Sequence, residues 1–249
     1  MRERFAVEHF AIWTLLDIAA FLCSDDDINQ NDACIYYRGA ELDSWYHRIQ
    51  IRSQYLDQHG IDATMDAVMD VVEDGEPVLC SVFRPEKDSD LLEWIAKRQF
   101  PIINPQTAMF MDLRTLGAFD STDVGVIPSG RLPEWSACCA QAFSKQEMFS
   151  CFEKLSEHCS FYGYQIGGEI TSTLMLNRLS SLAGLHEVGT KLQYRGKGQA
   201  TKLVNKALSD ERNNGCTMAV LQASSQGYPL YRRLGFEDCG FLYNFHCFW

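Results

Sequence analysis

A glycine-rich segment between an apolar run and an amphipathic pattern constrains the fold of this chain more than any other feature. Gln193–Ala200 reads QYRGKGQA and follows a strand-like run at 182–190. Apolar residues then recur at helical spacing until Gly215, at positions Ala200, Leu203, Val204, Ala207 and Leu208. Glycines let the backbone approach an anion closely, and the first amides of a helix lack an intrahelical acceptor. The segment therefore predicts a phosphate-binding loop, to which Arg195 and Lys197 add positive charge.

A second element follows about thirty residues later and gives the first one more weight. A Gly-x-Gly pair alone also occurs in ordinary strand-to-helix turns. Here a buried strand is predicted at 216–222, followed by a short helix with Pro229 in its first turn and Gly235 at its end. The order of loop, helix, strand and short helix is more specific than the glycine pair.

The two segments together resemble the GNAT superfamily of acyl-CoA-dependent N-acyltransferases. That family carries a Gln/Arg-x-x-Gly-x-Gly/Ala loop and, further on, a Tyr-x-x-x-Gly-Phe segment. The matching positions are Gln193, Gly196 and Gly198 in the first motif and Tyr231, Gly235 and Phe236 in the second. The resemblance is specific over residues 182–236 and points to a bacterial subgroup with an extra N-terminal region.

The resemblance implies an α+β fold with a mixed, largely antiparallel sheet flanked by helices. Glycines and prolines interrupt the apolar pattern at 116–133, which predicts a domain boundary near residue 119. Charge changes at the same place, since residues 1–119 carry the whole net charge of −11 and residues 120–249 are balanced. We therefore predict an acidic N-terminal α/β domain over 1–119 and the GNAT acetyltransferase domain over 120–249.

The periodicity of apolar residues predicts alternating helices and strands in both parts. In the first part these are helices at 10–22, 63–73 and 89–98 and strands at 33–38, 44–51, 77–83 and 107–113. In the second part they are strands at 124–127, 161–166, 169–176, 182–190 and 241–249 and helices at 134–143 and 145–158. The helix at 89–98 and the strand after it resemble the closing half of a GNAT domain. The N-terminal region is thus interpreted as a degenerate GNAT-like copy, without a glycine-rich loop of its own.

Composition excludes several classes of function. An acidic N-terminal half argues against nucleic acid as a partner, because such binding depends on basic residues. The ten cysteines are scattered without a Cys-x-x-Cys pair, which predicts reduced core residues and no metal site. No apolar run reaches the roughly 20 residues of a membrane span. We expect a cytoplasmic protein with no membrane partner, and the sequence leaves the oligomeric state open.

The resemblance assigns the acyl donor, acetyl-CoA, to the loop and the strand before it. The strand backbone would run along the pantetheine arm, with the Val188 amide as donor to the thioester oxygen. The positions expected to bind the donor are Val188, Gly189, Thr190, Arg195, Gly196, Lys197, Gly198, Gln199, Ala200, Thr201 and Ser224.

Acyl transfer to an amine requires a base for the ammonium and an acid for the departing thiolate. Tyr231 occupies the position that protonates the sulfur in many GNAT enzymes, although a tyrosine there could also only bind the donor. His186 and Glu187 are the candidate bases, and alternation along a strand places them on opposite faces. Glu169 is a third option, and each of the three could instead be a structural polar residue.

These observations predict an N-acetyltransferase that moves an acetyl group directly from acetyl-CoA to a primary amine in a ternary complex, without a metal. The amine belongs to a small molecule or a protein. The alternative is a non-catalytic acyl-CoA sensor or interaction module that uses the acidic N-terminal region as its partner surface.

Overall fold

The computed structural model describes residues 14–23, 27–38, 47–72, 78–144 and 149–247. Its strands are β1 Ile28–Gln30, β2 Cys34–Tyr37, β3 Arg48–Ile51, β4 Val78–Arg84, β5 Ile102–Asp112, β6 Val124–Val126, β7 Cys159–Ile166, β8 Glu169–Leu179, β9 Leu182–Thr190, β10 Met218–Ala223 and β11 Glu237–Cys247. Its helices are α1 (residues 14–22), α2 Ser53–Met69, α3 Ser89–Lys97, α4 Leu132–Phe143, α5 Phe149–Leu155, α6 Gln199–Asn213 and α7 Tyr228–Leu234.

The strands form one sheet in the order β1-β2-β3-β4-β11-β5-β10-β9-β8-β7-β6. Two pairs of neighbours are parallel, β3 with β4 and β9 with β10, and the others are antiparallel. The expected mixed, largely antiparallel sheet flanked by helices is confirmed.

The two halves of the chain repeat the same order of elements. β1, β2, β3, α2, β4, α3 and β5 in the first half correspond to β7, β8, β9, α6, β10, α7 and β11 in the second. The closing strands are exchanged, because β5 pairs with β10 while β11 pairs with β4. The degenerate-copy hypothesis predicts the repeated order of elements but not the exchange of the closing strands. The hypothesis and the domain division at residue 119 both remain predictions, and each half contributes a strand to the other.

Helices cover both faces of the sheet and bury three apolar clusters. Along β10, Val220 packs in the cluster beneath α1, α4 and α5, whereas its neighbours Ala219 and Leu221 pack in the cluster beneath α6 and α7. A third cluster lies between α2, α3 and the N-terminal strands. The two faces of the central strands are therefore both buried, as their continuous apolar sequences require.

Several predicted bounds needed correction. α2 begins at Ser53, whereas the sequence predicted a start at 63. The helix is kinked at Gly60 (φ 79°), and the chain is helical on both sides of the kink. β5 begins at Ile102 rather than 107, and its pairing with β11 shifts register around Pro105, where the proline has no amide to donate. β1 is absent from the sequence prediction. The predicted helix at 145–158 is helical over Phe149–Leu155, and residues 145–148 lie outside the described ranges.

The thiols are buried as expected. All ten cysteines are free and nine are buried. Burial raises the pKa of Cys138 to about 11, so its thiol stays protonated at neutral pH. None of the described helices is long and apolar enough to cross a bilayer.

Candidate active site

An opening forms where two parallel strands separate. β9 and β10 pair from Leu182 opposite Met218 up to Leu185 opposite Leu221. Beyond this point β9 continues to Thr190 and β10 to Ala223 without pairing to each other. A cavity of about 450 Å³ lies between the separated ends and the beginning of α6.

A β-bulge in β9 shapes one wall of this opening. Thr173 of β8 lies opposite Gly189, and Met175 lies opposite His186. The single residue between Thr173 and Met175 therefore faces two residues of β9, Glu187 and Val188. Glu187 has φ 47°, in the left-handed region that a non-glycine residue rarely adopts. The bulge reorients the side chains of β9 at the point where the opening begins.

The loop between β9 and α6 presents unused backbone donors. Among the described residues, the amides of residues 196–201 have no acceptor within hydrogen-bonding distance. Gly196 and Gly198 both have φ 74°, and a methyl group built on either one would meet no atom within 4 Å. The positive φ thus favours glycine at both positions, and both residues line the cavity. Six unpaired amides at a helix N-terminus form a binding site for an anionic group.

The cavity includes nearly all of the residues predicted to bind the acyl donor. Those that line it are Val188, Gly189, Thr190, Arg195, Gly196, Gly198, Gln199, Ala200, Thr201 and Ser224. Lys197 does not line it, and its ammonium group donates instead to the backbone oxygen of Gln193 (3.2 Å). The ammonium group also lies 5.3 Å from the ring centroid of Tyr194, which does line the cavity.

Two of these side chains hold the loop in place. The Arg195 guanidinium donates to the carbonyl oxygens of Thr190 (3.0 Å) and Ala142 (2.7 Å), which ties the loop to the ends of β9 and α4. The side-chain oxygen of Gln199 accepts from the Thr171 and Ser172 hydroxyls (2.9 and 2.8 Å), which ties α6 to β8. The loop is pre-organised before any ligand binds.

Sequence reasoning missed Phe143, Tyr194, Leu230 and Arg233, which also line the cavity. Arg233 is exposed and has no acidic partner among the described residues, so its charge is available to a ligand. Its position two residues after Tyr231 in the sequence could have indicated that it lies near the site. Phe143 could not be predicted from its neighbours in sequence, because it reaches the cavity only through the packing of α4 on Gly189. A Cβ built on Gly189 would lie 2.8 Å from the Phe143 ring.

Tyr231 lies in the short helix α7 beside this opening. It is buried, packs edge-on against Phe236 with ring centroids 5.7 Å apart, and its hydroxyl has no hydrogen-bond partner among the described residues. Burial raises the pKa of Tyr231 well above its usual value, so the phenol keeps its proton. The group can therefore act as a proton donor. It is not among the residues that line the cavity.

Glu187 and His186 lie on the same side of the sheet, which corrects the prediction of opposite faces. Glu187 accepts a hydrogen bond from the Cys139 thiol of α4 (3.6 Å) and is half-buried. His186 lies opposite Met175, which packs in the cluster beneath α4. The bulge at Glu187 breaks the alternation on which the prediction rested.

The environments of the two side chains differ. His186 is buried, and its Nε2 lies 3.1 Å from the Oδ1 of Asn177, whose amide donates to Asp17 of α1 (3.1 Å). Desolvation, aided by the charge of Arg48, lowers the pKa of His186 to about 3. Its imidazole is thus neutral and held in a polar network, while Glu187 is partly accessible.

Glu169 is occupied elsewhere. Its carboxylate accepts from the Lys191 ammonium and the Tyr194 hydroxyl, both at 2.9 Å, on the protein surface. The hydrogen bond from Lys191, followed by that from Tyr194, lowers the pKa of this carboxyl. Within the described ranges, no group of three His, Cys, Asp or Glu side chains could hold a metal ion.

The depressed pKa of His186 predicts a pH-dependent stability. In the unfolded chain the imidazole protonates below its ordinary pKa of 6.5, but in the folded protein it stays neutral down to about 3. The contribution of His186 to the free energy of unfolding is therefore complete above pH 6.5 and is lost as the pH falls toward 3. We expect a loss of about 2 kcal/mol in the free energy of unfolding between pH 7 and pH 5, which His186→Gln removes. Urea titrations at both pH values measure it, with exposed His59→Gln as the control; an unchanged pH dependence in His186→Gln would contradict the assignment.

Part of the chain matches a known protein family. The family model described as an acetyltransferase (GNAT) domain matches residues 126–239. This part of the chain is a GNAT acetyltransferase domain. The cavity between β9 and β10 lies within the segment that the GNAT model matches.

Three relatives illustrate the range of similarity to GNAT proteins. The uncharacterized N-acetyltransferase YitH of Bacillus subtilis is 28% identical over 114 residues, which are 44% of this chain and 38% of that protein. The thialysine N-epsilon-acetyltransferase of Bos taurus is 31% identical over 67 residues, 26% of this chain and 39% of that one. The chain thus spans less than two fifths of either curated relative. A GCN5-related N-acetyltransferase from Kribbella flavida shares the fold over 96% of this chain and 95% of its own, with a TM-score of 0.66 at 14% identity.

Proposed function

We propose that the protein is an N-acetyltransferase that moves an acetyl group from acetyl-CoA to a primary amine by direct attack in a ternary complex. The observation that carries the proposal is the row of unpaired amides at 196–201, placed where β9 and β10 separate within a GNAT domain. The free thiols are consistent with a cytoplasmic location, which we also propose.

The amides of the loop would hold the diphosphate of acetyl-CoA, supported by the positive end of the α6 dipole. Arg233 offers a cation to the phosphates from the other side of the cavity. By the family resemblance, Val188, Gly189 and Thr190 would run along the pantetheine arm, and the Val188 amide would donate to the thioester oxygen. A backbone donor aimed at that oxygen stabilises the negative charge that develops during attack.

The transfer requires proton movements at two places. Glu187 would accept a proton from the substrate ammonium, since its carboxylate is partly accessible and His186 is held neutral in a buried network. The free amine then attacks the carbonyl carbon, a carbon–nitrogen bond forms and the carbon–sulfur bond breaks. Tyr231 would give its proton to the departing thiolate and regain one from the attacking nitrogen through solvent. The products are an amide, coenzyme A as its thiol and one proton released to water.

The acceptor amine belongs to a small molecule or a protein. Acetyl transfer to it is tested by following free thiol from acetyl-CoA across a panel of amines, together with the mass gain of the amine. Turnover with at least one class of amine supports the enzyme. Tight binding of acetyl-CoA with no turnover on lysine peptides, polyamines and amino compounds would instead favour the acyl-CoA sensor.

Tyr231→Phe is expected to lower kcat about 10- to 100-fold. The effect is moderate because the thiolate of a thiol with a pKa near 8.5 is a good leaving group even without a proton donor. Tyr228→Phe is the matched control, since this tyrosine lies in the same helix and its hydroxyl donates to Asp238 (2.9 Å) outside the cavity. Equal rates for both variants, measured with saturating acetyl-CoA, would exclude Tyr231 as the acid.

A further inference from the structure

A second, larger cavity lies in the N-terminal half. It has a volume of about 670 Å³ and is bounded by α1, the ends of β3 and β4, and the first turns of α2. None of its lining residues also lines the cavity between β9 and β10. Its size falls within the range of small-molecule sites, roughly 300–1,000 Å³.

This cavity is the counterpart of the acetyl-CoA cavity in the repeated order of elements, but its loop is different. β3 corresponds to β9 and α2 to α6, and only Arg52 separates the end of β3 at Ile51 from the start of α2 at Ser53. No glycine-rich loop intervenes, so this cavity lacks the six-amide site for a diphosphate.

A buried side chain in the cavity lacks a partner for its acceptor atom within the described ranges. Gln50 is 6% exposed and lines the cavity. Its amide nitrogen donates to the carbonyl of Ile51 (3.1 Å), but no described residue donates a hydrogen bond to its Oε1. A buried amide oxygen without a donor destabilises the protein by about 1–3 kcal/mol. A ligand that brings an N–H or O–H group to this oxygen would remove that penalty.

Groups of both charges lie beside one another where α2 begins. The amides of Ser53 and Gln54 begin α2 without an acceptor among the described residues, and Arg52 has no carboxylate partner within them. The Arg52 amide donates to the carbonyl of Ala33 (2.8 Å), which places the neighbouring Asp32 at the same turn; Asp32 is exposed and has no ion-pair partner in the described part of the chain. The amides and Arg52 are suited to a carboxylate and Asp32 to an ammonium group.

The remaining walls of the cavity are apolar and aromatic. Leu16, Ile35, Ile51 and Phe83 line the cavity together with Tyr55, whose ring stacks on His59 with centroids 4.1 Å apart. An apolar wall with a few polar groups at fixed places is the usual construction of a small-molecule site.

We propose that this cavity binds a free amino acid with an apolar or aromatic side chain. Its carboxylate binds the first amides of α2 and Arg52, its ammonium group donates to the Gln50 oxygen and to Asp32, and its side chain contacts Phe83, Leu16 and Ile35. The site is separate from the acetyl-CoA cavity and does not depend on the proposed transfer reaction.

Calorimetric titration of the full chain tests the site with three matched probes. We expect L-phenylalanine to bind, and phenethylamine and 3-phenylpropanoate, which each lack one charged group, to bind at least about tenfold more weakly. Saturation with acetyl-CoA leaves the affinity for L-phenylalanine unchanged. No heat of binding up to about 10 mM, equal binding of all three probes, or competition with acetyl-CoA would overturn the proposal.

Two variants separate a ligand contact from a structural role. Gln50→Leu removes the unpaired acceptor, so we expect a higher melting temperature without ligand and at least a tenfold loss of affinity for L-phenylalanine. Asp32→Asn lowers the affinity similarly, whereas Asp57→Asn, whose carboxylate pairs with Arg84 (2.7 Å) away from the cavity, leaves it unchanged. Unaltered binding in both Gln50→Leu and Asp32→Asn would overturn the assignment.

Discussion

Gly198→Ala is expected to lower the affinity for acetyl-CoA at least tenfold, and Gly198→Asp at least about 100-fold. Gly198 is the N-cap of α6 with φ 74°, it lines the cavity, and a Cβ built on it would meet no atom within 4 Å. In the proposed binding mode a methyl group there takes up volume that the diphosphate needs, and a carboxylate adds repulsion between like charges. Calorimetric titration with acetyl-CoA measures both effects.

A glycine at the other end of the same helix provides the control. Gly215 follows α6 with φ 96°, and a Cβ built on it meets no atom within 4 Å. Gly215→Ala therefore introduces a similar backbone strain, about 1–2 kcal/mol, at a distance from the cavity. We expect both alanine variants to melt at similarly reduced temperatures while only Gly198→Ala loses acetyl-CoA. Comparable loss of affinity in the two would show that strain, rather than the binding loop, is responsible.

The parts of the fold that are encoded locally could be predicted from the sequence. The bounds of β9 at Leu182–Thr190 follow from a short apolar run, and the loop after it follows from Gly196 and Gly198. Both signals arise within a few residues, because a left-handed glycine or an apolar face needs no distant partner.

The features that depend on distant partners could not be predicted. The insertion of β5 between β10 and β11 joins segments more than one hundred residues apart, and periodicity carries no information on that pairing. The bulge at Glu187 depends on the register with β8, and it moved the side chain to the side of His186. The environment of Gln50 likewise depends on α1 and β4, so its unpaired oxygen could not be inferred from its neighbours in sequence.

Glu187→Gln is expected to lower kcat by about 100- to 10,000-fold, the range that general acid–base catalysis contributes. The amide keeps the size of the side chain and can still accept from the Cys139 thiol, but it cannot take a proton from an ammonium group. In the proposed binding mode acetyl-CoA contacts the loop at 196–201, so we expect its affinity to be unchanged. Steady-state kinetics with an accepted amine and calorimetry with acetyl-CoA separate these two effects.

The dependence of the remaining rate on pH distinguishes a base from a positioning residue. If Glu187 takes the proton, the variant depends on amine that is already deprotonated in solution, and its kcat/KM should rise tenfold per pH unit below the pKa of the substrate. Glu134→Gln alters a carboxylate on α4 that pairs with Arg131 (2.5 Å) at the surface, and it should retain both the rate and its pH profile. A Glu187→Gln enzyme that is slow but keeps the original pH profile would assign the carboxylate to substrate positioning, and water would then be the proton acceptor.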